Sequence, residues 1–430
     1  MTDIAGASAT VRATASELSA RDRRDFRRYL SGYGGSTFGT AFTGVAVSAL
    51  AVNLFHVSGG EAGVLAAGSA LPALAVAPVA GLTAERTTRP RRILIVSDLV
   101  SAAVVGGCAL AVAARVADFG WLLALVIALG AFSAISQTLL IIHLNSLRTQ
   151  SLPVARARTQ TVAYLSSLSA NAAVGPVISA VGPVVALTVD AVSYLASAAS
   201  LGVIAAPDRN PALEAGSAAG SFYRDIGDGF RLLFRGRLGP VMIYTLVAQS
   251  AFVGIGTLKA LFMLQTLRIP LSLYSLPTFC AEGLAALGSV LADRALEAGW
   301  PANRVAAGWW ACGTVGVLFM PVAFGSLTVK VTLLCVGVAV PVMGYAAANV
   351  AVVALFSEAI PENVMGRAIA AATVTATAAA TVGSLAAGLL ADFLTVRGTL
   401  WACAAVGVAA LVLLFPVMRL RAMAARPDEQ

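Results

Sequence analysis

The sequence predicts an all-α integral membrane protein with twelve transmembrane helices, and three observations carry that prediction. Hydrophobic residues make up 58% of the chain and charged residues 12%, against about 25% charged in soluble domains. Mean hydropathy is +0.85, and a 430-residue chain folding in water could not hide that much apolar surface. Apolar runs long enough to cross a bilayer also recur from end to end, parted by short arginine-bearing segments. The solvent for most of this chain is therefore lipid.

A helix needs about 20 apolar residues to cross the ~30 Å hydrocarbon core. Such runs fall at 29–54, 61–84, 92–114, 121–146, 160–182 and 184–206, then at 239–265, 271–293, 303–325, 328–356, 366–391 and 396–418. The first 28 residues are polar and close on Arg21-Asp22-Arg23-Arg24-Asp25-Phe26-Arg27-Arg28. The run behind them is too long for a signal-peptide core and lacks a cleavage site, so it is expected to stay as the first span. The organisation expected is a tail (1–28), a six-helix bundle (29–206), a linker (207–238), a second six-helix bundle (239–418) and a tail (419–430).

Orientation follows from the basic residues. Only Lys259 and Lys330 are lysines; the other basic residues are arginines. With the N-terminus in the cytoplasm, 24 basic residues fall inside and four outside (Arg115, Arg268, Lys330, Arg397), while Lys259 lies within a span. That asymmetry is a positive-inside signal, so both termini are expected in the cytoplasm of a cell inner or plasma membrane. The net charge of +8 is accounted for by this distribution, and a nucleic-acid partner is not expected.

Within the linker, Phe222, Ile226, Phe230, Leu233 and Phe234 repeat at helical spacing among Arg224, Asp225, Asp228, Arg231 and Arg235. This is an amphipathic helix expected to lie on the cytoplasmic membrane face. Gly35 and Gly39 in the first span, and Gly383, Ala387 and Gly388 in the eleventh, are expected to permit close helix contact. Cys108, Cys280, Cys312, Cys335 and Cys403 form no CxxC and read as small core residues.

The loop between spans two and three reads Gly81-Leu82-Thr83-Ala84-Glu85-Arg86-Thr87-Thr88-Arg89-Pro90-Arg91-Arg92. An acid followed by arginines suits a tight hairpin, because the carboxylate can cap a helix start and the guanidiniums can bridge helix ends. The second half echoes it with Gly288-Ser289-Val290-Leu291-Ala292-Asp293-Arg294, as parallel repeats would. Before span eleven stands Ile360-Pro361-Glu362-Asn363-Val364-Met365-Gly366-Arg367, and span five carries Gly175-Pro176. The chain resembles the major facilitator superfamily on these residues. Glu85 replaces that family's loop Asp, while Gly81, Arg86 and Arg89 match. Gly366-Arg367 is similar to a signature of its exporters. At span five, Ser179-Ala180 stand where a Gly-Gly pair follows the Gly-Pro of proton-coupled exporters, and span four lacks the family's mid-span Arg, its first being Arg148. Val96-Ser97-Asp98-Leu99 and Val189-Asp190-Ala191-Val192-Ser193 suggest the enterobactin-exporter and macrolide-efflux branch. The resemblance implies two pseudo-symmetric six-helix bundles around a central cavity lined by spans one, four, seven and ten.

Ionisable groups inside spans cost about 3 kcal/mol each on insertion scales and are usually functional or paired. Asp98 is expected to pair with arginines of the 2–3 or 4–5 loop and to serve the gating motif. Asp190 is expected to support packing. Lys259 and Glu282 lie on adjacent antiparallel spans, and two readings stay open: a static buried pair, or a protonatable Glu282 at which proton, substrate and Lys259 compete. His143, near the cytoplasmic end of span four, is an interfacial hydrogen-bonder or a proton relay. Gln137, Asn171, Gln249 and Asn349 are candidate cavity contacts.

No phosphate loop, metal-ligand cluster or nucleophile–His–acid set stands in the sequence, so neither enzyme activity, a metal nor a cofactor is expected. The function expected is secondary transport: proton-coupled export of a small amphipathic organic molecule (a drug, siderophore or metabolite) by a monomer using alternating access. The alternatives are a same-fold importer or lipid transporter, and a non-transporting membrane receptor or assembly factor.

Overall fold

A computed structural model describes residues 20–147, 151–208, 222–235, 238–360 and 362–415. Most of the expected N-terminal tail, the C-terminal tail, Arg148 and Pro361 lie outside the described residues. The described chain is helical throughout, with helices α1 (Ala20–Asn53), α2 (Gly59–Arg86), α3 (Pro90–Ala113), α4 (Phe119–Ser146), α5 (Leu152–Val181), α6 (Pro183–Gly202) and α7 (Phe222–Arg235). There follow α8 (Gly239–Ala260), α9 (Leu276–Glu297), α10 (Ala302–Gly316), α11 (Leu327–Ala359), α12 (Glu362–Phe393) and α13 (Val396–Ala410).

Eleven of the helical segments are long and apolar enough to cross a bilayer. The ninth of the twelve expected spans falls short of that length. Its α-helix stops at Gly316, one 3-10 turn (Val317–Phe319) follows, and Pro321 cannot donate to continue the ladder. A Cβ at Gly313 or Gly316 would press on Pro341 or Val340 of α11, so the short helix lies close against a long one.

The chain forms two compact units, Met1–Val47 with Ala75–Ala219 and Ser48–Leu74 with Gly220–Gln430. Residues 48–74 therefore group with the later half, which differs from a division at the linker alone.

In the first unit, α3 packs along α6 and α4, and α5 packs on α6. Near the basic end, Tyr29, Leu94, Leu139, Leu144, Leu147, Ala155, Leu201 and Ile204 form a core. Helix α3 starts with no side-chain cap from its own Arg89. Its exposed N–H groups are satisfied instead by Asp208, which accepts from Arg91 N at 2.9 Å and Arg92 N at 3.3 Å. Arg91 in turn donates to the carbonyls of Ile204 (2.8 Å) and Ala206 (2.9 Å), while Asp25 accepts from the N–H groups of Ala205 and Ala206. The segment behind α6 is thus clamped from α1 and α3. Helix α5 passes unbroken through Pro176 and ends at Gly182, whose φ of 85° suits glycine.

In the second unit, α9 and α10 pack on α11, and α8 packs on α12 and α13. Ser58 and Glu61 open α2 with a reciprocal capping box, Glu61 Oε2 accepting from Ser58 N at 2.8 Å and Ser58 Oγ from Glu61 N at 3.2 Å. Asp392 at the end of α12 accepts from Gly60 N at 2.9 Å. Gly59 and Gly63 lie against Gly388, and Gly383 lies against the backbone of Ser250, so close contact follows from small residues. Gly35 meets nothing within 4 Å and plays no such part. The amphipathic α7 packs on α12: Leu233 is fully buried, Gly229 abuts the Arg367 carbonyl, and Phe230 stacks on Phe234 at 5.9 Å. Its described apolar face covers protein, where the sequence suggested a membrane surface.

Candidate functional site: a hydroxyl-lined cavity in the first unit

Helix α1 carries Tyr29, Tyr33, Ser36, Thr37 and Thr40, polar residues spaced three and four apart and so confined to one face. Helix α3 adds Asp98 and Ser101, α4 adds Ser133, Ser136 and Gln137, and α6 adds Tyr194 and Ser197, each set again at helical spacing. These faces converge on a cavity of about 380 Å³ within the first unit, closed by Leu94, Leu129, Phe132, Leu140 and Leu201 among others. That volume lies in the range of small-molecule sites.

Among the described residues Asp98 is the one carboxylate of the lining, and no Lys, Arg or His lines it. It is 8% exposed and has the Ser197 hydroxyl beside it. Among the described residues no basic side chain lies within 4 Å of it. None of the described loop arginines pairs with it: Arg91 is spent on the carbonyls behind α6, and Arg89, Arg156 and Arg158 are exposed, while the side chains of Glu85, Arg86 and Arg148, like Gly81, lie outside the described residues. Tyr29 and Tyr33 stack at 6.2 Å with parallel planes, and Tyr194 Oη lies 3.4 Å from Thr40 Oγ1.

Asp190, one turn before Tyr194, is fully buried and satisfied by hydroxyls. Thr43 donates to it at 2.5 Å and Ser193 at 3.2 Å. It holds α6 to α1, as a packing role requires. His143 is also fully buried, its ring 6.0 Å from that of Tyr29. Its Nδ1 lies 3.4 Å from Ser146 Oγ, and Nε2 has no hydrogen-bond partner among the described residues. His143 thus lies in the last turn of α4, inside the protein.

The other expected residues do not gather here. Lys259 donates to Thr278 Oγ1 at 2.8 Å and sits 5.3 Å over the Tyr274 ring; Glu282 is not its partner. Lys259 also stands just before a π-helical turn, Leu261–Thr266. Asn171 donates to the Ser167 carbonyl on its own helix at 3.0 Å. Gln249 is half-buried and Asn349 exposed, and neither lines this cavity, whereas Gln137 does. Asp293, Arg294 and Arg367 are exposed at helix ends, and the side of Gly366 lies outside the described residues. Cys280 and Cys335 are free and half-buried, on α9 and α11.

The tyrosine and serine lining was missed because single-residue reading looked for charges. The signal was available as the periodic polar stripe from Tyr29 to Thr40 in an otherwise apolar span.

The Major Facilitator Superfamily family model matches residues 29–377. Among solved structures, the chain resembles the nucleoside transporter NupG at a TM-score of 0.74 and 13% identity, covering 94% of this chain and 100% of that one. A bacterial homologue of the human lysosomal transporter Spinster gives 0.69 and 13%, covering 94% and 98%. A bacterial homologue of the iron transporter ferroportin gives 0.67 and 15%, covering 94% and 100%. At such identities these likenesses speak to fold alone. A comparison with curated protein sequences finds no match.

Proposed function

Since this multi-pass membrane protein belongs to the major facilitator superfamily and is a transporter of that type, we propose that it exports a small organic molecule in exchange for protons by alternating access, as a monomer. The single observation that carries the reading is the first-unit cavity, with Asp98 set among hydroxyls and aromatic rings. A carboxylate with no basic partner can hold a proton or contact a substrate, but not both at full strength. Mutual exclusion at one group is the least that exchange requires. The cavity's hydroxyls orient a small molecule by hydrogen bonds, and Phe132 with the tyrosine rings supplies apolar contact.

Asp98 replaces the Lys259–Glu282 couple as the first candidate for coupling, because Lys259 is held by Thr278 and Tyr274. Glu282 and His143 stand as further protonatable groups in the same role. Export is favoured over uptake by the likeness of Gly366-Arg367 to the exporter signature, and the 24-to-4 distribution of basic residues supports cytoplasmic termini in an inner or plasma membrane. The 2–3 loop residues Gly81, Glu85, Arg86 and Arg89, the Asp293-Arg294 echo and the Gly175-Pro176 pair are proposed to serve the conformational change rather than the substrate.

The test is efflux of a panel of fluorescent organic dyes from a drug-sensitive bacterial host, with and without a protonophore. The reading expects efflux that the protonophore collapses and that Asp98→Asn loses at unchanged expression. Efflux indifferent to the protonophore would refute proton exchange. Accumulation of the dyes above the vector control would turn the direction to uptake.

A further inference from the structure

On the reading of the first-unit cavity as a substrate site, we infer that its substrate is a small organic cation, a protonated amine on a hydroxylated or aromatic skeleton. Four features of the wall point there. Among the described residues the lining carries one carboxylate and no basic group. In a medium of low dielectric that imbalance attracts a cation and repels an anion far more than it would in water. Only the Ser197 hydroxyl stands beside Asp98 among the described residues, whereas two carboxylate oxygens can accept several donors, so it keeps acceptor capacity.

The hydroxyls of α1 are also biased towards accepting. Thr37 donates its proton to the Tyr33 carbonyl and Thr40 to the Ser36 carbonyl, both at 2.9 Å. Their oxygens keep lone pairs while their protons are spent on the helix. An ammonium, which has three donors and no acceptor, is the complement of these two oxygens and of the Asp98 carboxylate. Finally, the tyrosine rings and Phe132 offer faces of negative quadrupole over which a cation is held.

The test is calorimetric binding to the purified full-length chain in detergent, with three probes that share a phenol ring and differ in charge: tyramine, its neutral alcohol analogue tyrosol, and the anion 4-hydroxyphenylacetate. Small probes bind weakly, so millimolar concentrations are used. Tyramine is expected to bind at least about tenfold more tightly than tyrosol, and the anion not at all, a tenfold ratio being one logarithmic step of affinity. Asp98→Asn should remove the preference for tyramine over tyrosol, and Asp98→Glu should restore much of it. Equal affinity for tyramine and tyrosol in the wild type, or a preference for the anion, would overturn the cationic assignment and leave the cavity a site if Tyr33→Ala weakens that binding. Binding of none of the three would overturn the cationic assignment and the substrate cavity together. A cationic preference that survives Asp98→Asn would also overturn the assignment, because the carboxylate would not be its source.

Discussion

Ser197 on α6 sets its hydroxyl beside the carboxylate of Asp98 on α3 at the wall of the first-unit cavity. Its consequence is that Asp98 is held in place without being neutralised. Serine fixes the orientation of the carboxylate, whereas an arginine would fix the orientation and cancel the charge. Replacing Ser197 by Ala should therefore keep the protein folded but leave Asp98 less well positioned. A loss of apparent affinity for transported dye by several-fold, with maximal rate little changed, is the expected outcome in a concentration series of efflux rates. An unchanged affinity would show that Ser197 contributes only packing.

Asp208 caps α3 from 117 positions away, and Arg91 grips the same segment through two carbonyls. Asp208→Ala removes the acceptor of two helix-start N–H groups, a loss of about 1 kcal/mol for a capping side chain. Thermal unfolding of the detergent-solubilised protein should show a lower midpoint. Asp208→Asn, which retains an acceptor oxygen, should fall by less. Equal losses for both would mean that the charge, and not the cap, does the holding.

Gly383 admits the backbone of Ser250, and Gly388 admits that of Gly59 and Gly63. Backbone cannot yield as a side chain can, so a bulky residue must push the helices apart. Gly383→Val and Gly388→Val are each expected to cost on the order of 1–3 kcal/mol, the range for overpacking, read as lower thermal stability and poorer yield. Gly35→Ala, with nothing within 4 Å, is the control and should be neutral.

Lys259 and Glu282 are not partnered with each other. A double-mutant cycle with Lys259→Met and Glu282→Gln should give a coupling energy under about 1 kcal/mol, whereas breaking one side of a buried ion pair costs about 3–5 kcal/mol. Thermal stability of the four proteins measures it. Strong coupling would restore the static-pair reading of these residues.

Fold class and span positions were legible because lipid forces every spanning backbone to be a helix and marks it with about twenty apolar residues. The basic loops were legible for the same reason, since their charges cannot enter the bilayer. The short α10 was not, because hydropathy continues past Gly316 while the helix does not: a proline, not polarity, ends it. Nor was the grouping of 48–74 with the later half, which depends on contacts such as Gly60 with Asp392 that no local pattern announces. At the site, spacing identified Asp98 and Gln137 as polar groups in spans, but their partners depend on helix rotation. Asp98 stands seven residues beyond Arg91 on its own helix, and Arg91 turns to the carbonyls behind α6. The Ser58-Glu61 capping box and the Tyr29-to-Thr40 stripe were written plainly in the sequence and fell outside a search tuned to charge.

The central claim, that Asp98 in the first-unit cavity exchanges a proton for substrate, is tested most directly in proteoliposomes holding the purified protein and an imposed proton gradient. Gradient-driven movement of a dye exported by the wild type in cells would be compared with gradient-free counterflow, for the wild type and Asp98→Asn. The account predicts that wild type performs both, and that Asp98→Asn loses gradient-driven transport while any remaining counterflow no longer responds to a proton gradient. Gradient-driven transport by Asp98→Asn at the wild-type rate would contradict it and move the coupling site elsewhere in the chain.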